Sequence, residues 1–110
     1  MNPYNSSILS QMRQTCQNLM SIAKDISNTE EIEDVDFFLD NVSLNYKLLI
    51  EFYMQIQYMY EDLVSKDTLK KTIDFVNSGL NAGNLPRILF ALKNEIPMLK
   101  EKIETKLKNK

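Results

Sequence analysis

The side chains with the chemistry to form a site are mostly carboxylates. The run Asn28-Thr29-Glu30-Glu31-Ile32-Glu33-Asp34-Val35-Asp36 carries five acids in nine residues, and Glu51, Glu61 and Asp62 form a sparser second set. Clustered carboxylates can hold a divalent cation, but a calcium loop needs a tight glycine turn and regularly spaced oxygens, and the acidic run has no glycine. It reads instead as a helix start, with Asn28 or Thr29 as N-cap and carboxylates in the first turn facing the partial positive charge of the helix end. The chain contains no histidine. Ser-His-Asp and Cys-His nucleophile systems are therefore excluded, and the Glu-x-x-His pairs of di-iron bundles have no counterpart. Two glycines are too few for a phosphate-cradling loop together with its turns. The single thiol, Cys16, lies at helical spacing from Met12 and Met20 and belongs to a core stripe. No catalytic, cofactor-binding or metal-binding residue can be named, and the expectation is a protein that is not an enzyme and carries no cofactor.

The elements around these residues come from hydrophobic periodicity. With 110 residues, 44% of them apolar, the chain can build one core, so residues 1–110 are expected to form a single domain. A net charge of −2 gives no electrostatic basis for nucleic-acid binding. No apolar run is long enough to cross a bilayer and no signal peptide precedes the first segment, so stable membrane insertion is not expected and the expected location is cytoplasmic. A lone cysteine suits that reducing interior.

A first amphipathic helix is expected from about Ser7 to Ser27, with Ser6 or Asn5 as its cap. Ile8, Leu9, Met12, Cys16, Leu19, Met20, Ala23 and Ile26 form its apolar face. From Ile32 the strongest pattern begins: Ile32, Val35, Leu39, Val42, Tyr46, Leu49, Tyr53, Ile56, Tyr60 and Leu63 recur in threes and fours without proline or glycine. A continuous helix to Ser65 would span roughly 50 Å, and such a repeat packs knobs into holes against near-parallel neighbours. Asp40, Asn41 and Ser43 favour caps and could divide it into two helices.

Aromatic and methionine residues concentrate at Phe52 to Tyr60. Stepping 100° per residue, Tyr53, Ile56 and Tyr60 stay with the core stripe, whereas Met54 and Tyr58 point to the opposite side with Lys47, Glu51 and Asp62. Either this helix is central and buried on two sides, which is the favoured reading, or Met54 and Tyr58 belong to a contact surface of the kind enriched in such residues.

Asp67 is expected to cap a third helix carrying Leu69, Ile73, Val76 and Leu80, with Phe75 beside the stripe. Gly79 and Gly83 would supply left-handed residues to end it near Asn81. Leu85-Pro86 suits a helix start. The last helix would bury Ile88, Leu89, Leu92, Ile96, Leu99, Ile103 and Leu107, and would kink or restart at Pro97, which has no N–H to offer the Lys93 carbonyl. The expected fold is all-α: an antiparallel bundle of four or five helices with a long second helix and a proline-kinked last one.

The stretch from Leu80 to Lys100, with Glu95-Ile96-Pro97-Met98-Leu99 as its proline element, resembles the ending of small all-helical bacterial proteins associated with flagellar genes. Asn2-Pro3-Tyr4 and Met59-Tyr60-Glu61-Asp62-Leu63-Val64 are similar to parts of flagellar secretion chaperones. The resemblance covers about a third of the chain, and the tryptophan usual near the end of the first family has no counterpart. It implies a helical module that binds another protein. On the residues themselves the expectation is an interaction module that holds a partner helix, or a second copy of itself, through Tyr53, Met54, Tyr58, Met59 and Tyr60. The alternative is a small helical immunity or inhibitor protein, bacteriocin-directed or phage-encoded, a class that likewise needs no catalytic groups.

Overall fold

In the computed structural model, described over residues 3–26, 34–60 and 62–108, every regular element is helical. The first helix, α1, runs Pro3–Ile26, starting four residues before the expected Ser7. Pro3 suits a first helical position because its missing N–H would be unpaired there anyway, and Asn5 and Ser6 consequently lie inside the helix rather than capping it. Of the expected apolar face, Ile8, Leu9, Met12, Cys16, Leu19 and Ala23 are buried and Met20 is half-buried, while the Ile26 side chain lies outside those described.

The second helix, α2, spans Val35–Ile56. Its cap is Asp34, whose carboxylate accepts a hydrogen bond from the Phe37 N–H at 2.9 Å, a contact of a kind that adds about 1 kcal/mol. Asn28 and Thr29, the expected caps, lie outside the described residues. The helix passes unbroken through Asp40, Asn41 and Ser43, with Val42 buried on the core side and the Asn45 side chain bonded back to the Asn41 carbonyl. It stops at Ile56, not Ser65. Bonds from Met59 and Tyr60 to the Ile56 carbonyl and from Leu63 to the Tyr60 carbonyl turn the chain. The turn still delivers Leu63 to the core, so the spacing of threes and fours is kept although the helix is not.

The third helix, α3, covers Lys66–Gly79 and is capped by Ser65, whose hydroxyl accepts from the Thr68 N–H. Asp67, the expected cap, is already helical; only the extended backbone of Ser65 (φ −67°, ψ 159°) turns a side-chain oxygen onto the orphan donors. Neither glycine adopts positive φ, so the left-handed ending is not used. Gly83 leaves room for a different contact. The Asn81 carboxamide oxygen accepts from its N–H, and a Cβ there would meet that oxygen at 3.1 Å.

A 3-10 turn at Ala82–Asn84 leads into α4, Leu85–Phe90, with Pro86 in its first turn. A five-residue π turn, Ala91–Glu95, joins α4 to α5, Ile96–Lys108. This is how the chain absorbs Pro97: the Ile96 N–H reaches back to the Ala91 carbonyl, and the Asn94 side chain caps the Phe90 carbonyl at 3.0 Å. Such a widened turn is a usual way to relieve an interrupted helical ladder.

Among the described residues the elements form four helical runs, the fourth being α4, the π turn and α5 together. α1 packs along both α2 and α5. Tyr4 bonds Gln55 at 2.8 Å, while Ser6 and Ser10 sit beside Glu104 and Lys108, which fixes how the three align. α3 packs chiefly on α2 and contributes one buried side chain, Val76. Its main fastening is a stack in which the Phe75 ring meets Tyr46 edge-on and Arg87 face-on, with Arg87 also paired to Glu95 at 3.0 Å.

Candidate functional site

The five residues expected to contact a partner divide in the structure. Met54, Tyr58 and Met59 are exposed, Tyr58 to 82%. The expectation that Met54 and Tyr58 are buried is therefore wrong. α2 packs chiefly on α1 and less extensively on α3, which leaves Met54 uncovered, and Tyr58 lies in the turn beyond the end of α2. Tyr60 is half-buried, with the Lys106 ammonium 5.9 Å from its ring centre. Tyr53 is buried at 5% exposure and stands in the core stripe with Tyr46, Leu49 and Ile56, so it offers little surface to a partner.

The turn after α2 forms one wall of a groove of about 500 Å³, closed on its other side by the start of α3. Tyr53, Tyr58 and Tyr60 line it together with Leu63, Lys66 and Leu69. A helix end followed by a tight turn thus puts tyrosine rings around a concavity of mixed apolar and polar lining, while Met54 and Met59 remain outside the groove. Such a surface can seat an apolar side chain of another macromolecule.

Sequence reasoning followed one stripe on α2 and missed another. Phe37, Leu44 and Leu48 are exposed, and at seven- and four-residue steps they lie within about 40° of one another around the helix. They stand roughly 130° from the centre of the buried stripe. Their spacing was a legible signal, obscured because Phe37 adjoins the buried Phe38 and Leu48 adjoins the buried Leu49.

The acids and the thiol do not assemble into a site. Asp62 is held by Lys106 at 2.5 Å, and that hydrogen bond and charge keep its carboxyl below the usual range. Glu104 is lowered similarly by Lys100. Lys100 thus pairs within its own helix and Lys106 with the turn after α2. Glu51 is exposed, and Glu61 lies outside the described residues. Burial pushes the Cys16 thiol up to about 12, with Lys100 acting weakly against it. Burial likewise raises Tyr53 and Tyr46, the latter with help from Glu95. All three groups are protonated at neutral pH and offer neither a nucleophile nor a base.

One polar group is anomalous. The Tyr53 hydroxyl is buried and has no hydrogen-bond partner among the described residues. Buried hydroxyls are nearly always paired, since an unpaired one forfeits its bonds to water without replacement.

No family model, no curated protein and no solved structure matches the chain. The similarity to flagellar helical proteins stands on the quoted residues alone.

Proposed function

We propose that the protein is a non-catalytic interaction module of the secretion-chaperone or adaptor type, which seats a helix of another protein at the end of α2. The observation that carries this reading is the exposure of Met54, Tyr58 and Met59 beside the tyrosine-lined groove. Large apolar side chains held together in water beside a concavity are costly to a chain that has no partner for them. Methionine supports a helix-binding role because its unbranched side chain adapts to different knobs. In this reading the helical runs are antiparallel neighbours of one bundle, working in the cytoplasm. Among the described residues no helix is long and apolar enough to cross a membrane.

The test is affinity capture from the native cell with the intact chain and with a Met54→Ser/Tyr58→Ser double variant, followed by mass spectrometry. A protein enriched by the parent and lost with the variant, at unchanged helicity, is the expected result. Equal capture by both removes the site. Protection of cells against a bacteriocin, unchanged by the double variant, would redirect the reading to an immunity protein.

A further inference from the structure

Beyond the groove and its methionines, α2 carries a second uncovered face nearer its start. Phe37, Leu44 and Leu48 are 64%, 59% and 38% exposed, and steps of seven and four residues align them along roughly 17 Å of one stripe. Single exposed apolar side chains are ordinary, whereas large ones aligned on a helix are the anchors by which one helix recognises another. One edge of the stripe is charged. At about 100° per residue, Asp36, Asp40 and Glu51 all lie on the same side of Leu44 and within about 80° of it, and Lys47, the only cation on α2, stands among them. The three carboxylates are exposed and make no ion pair with another described residue. The other edge is neutral: it carries Asn41 and Asn45, and there the Asn18 side chain of α1 donates to Asn45. We infer that this face of α2 docks a basic amphipathic helix of another protein, whose apolar stripe covers Phe37, Leu44 and Leu48 and whose lysines or arginines meet Asp36, Asp40 and Glu51.

Charge selects the occupant. Three carboxylates against one ammonium leave the edge negative, and such an imbalance at an exposed contact governs partner choice and encounter rate more than raw affinity. A second copy of the chain docked through the same face would set this negative edge against its own counterpart. An acidic helix meets the same repulsion, as does a nucleic acid with its phosphates. A basic helix satisfies both the apolar stripe and its edge. The face is separate from the surface proposed above for partner binding, since Tyr58 and Met59 lie in the turn beyond the other end of α2.

The probes are two synthetic helical peptides of about three heptads with leucine at the a and d positions, one carrying lysine at e and g and the other glutamate. Each is titrated into the intact protein and followed by amide chemical shifts. The lysine peptide should shift the amides around Phe37, Leu44 and Leu48 and bind about ten-fold more tightly than the glutamate peptide at low salt, a preference that shrinks as added salt screens the edge. A Leu44→Ser/Leu48→Ser variant should lose the lysine peptide while keeping the parent's helicity, because both side chains are exposed. Reversing the edge with Asp40→Lys and Glu51→Lys should invert the preference, a result that a loss of stability cannot produce. The Met54→Ser/Tyr58→Ser variant should bind as the parent does. Equal binding of the two peptides, shifts confined to other surfaces, loss of binding in the Met54→Ser/Tyr58→Ser variant, or no shift with either peptide up to about 1 mM would each overturn the inference. So would sedimentation showing that the chain dimerises and that the dimer is lost in the Leu44→Ser/Leu48→Ser variant.

Discussion

Replacing Tyr53 by phenylalanine should make the free protein more stable. The substitution removes one atom, and that atom is buried without a hydrogen-bond partner among the described residues, while the ring that fills the core between Leu49 and Ile56 is kept. In the unfolded chain the hydroxyl bonds to water. On folding it loses those bonds and gains none within the described chain, a penalty of about 1–3 kcal/mol for a buried unsatisfied group. Phenylalanine has no such penalty, so the gain should lie at the lower end of that range once small rearrangements are allowed for, about 1 kcal/mol. For a chain of this length 1 kcal/mol corresponds to a rise in Tm of about 4 °C or more. The assay is urea unfolding followed by circular dichroism at 222 nm, with Tyr58→Phe as control. Tyr58 is 82% exposed, and its variant should stay within about 0.5 kcal/mol of the parent. A lower urea midpoint for Tyr53→Phe at unchanged slope would mean that the hydroxyl is satisfied in the folded protein. The penalty argument would then fall.

Alkaline titration gives a second prediction. Cys16 is held at about 12 in the folded state against an ordinary 9.0, so between those values the unfolded chain has released a proton that the folded one retains. Stability is intact below pH 9 and falls as pH rises through this window, by about 1.4 kcal/mol per unit for each such proton. Tyr46 and Tyr53, raised in the same direction, add to the slope once the pH passes about 10. Urea midpoints that stay flat from pH 8 to 11 would contradict the burial of these groups. The caps supply a third: Ser65→Ala should destabilise by about 1 kcal/mol and Asp67→Ala by less than half as much. The reverse order in thermal melts would restore Asp67 as the cap of α3.

Much of the core was legible without a structure because helical periodicity is a local property. The spacing of Ile8, Leu9, Met12, Cys16 and Leu19 fixes their common direction about a helix axis whatever surrounds them, and all are buried. The same holds for Val42, Tyr46, Leu49, Tyr53 and Ile56 on α2 and for Ile88, Leu92, Ile96 and Ile103 in the last run. The interruption at Pro97 was equally certain, since a residue without an N–H cannot continue the ladder; that it is met by a π turn was not.

What the chain order could not reveal is how many neighbours each helix has. The sequence alone determines that α2 is apolar on more than one side. Only the tertiary structure decides that α1 and α3 cover just one of them, leaving Met54, Tyr58, Phe37, Leu44 and Leu48 exposed. It also decides that α2 ends at Ile56, because a turn that returns Leu63 to the core satisfies the same spacing as a longer helix. The Tyr53 hydroxyl, buried without a partner among the described residues, lies further still beyond sequence, since its surroundings depend on what the rest of the chain places around one ring. Periodicity sets the angle at which a side chain leaves its helix, and the path of the rest of the chain determines what it meets there.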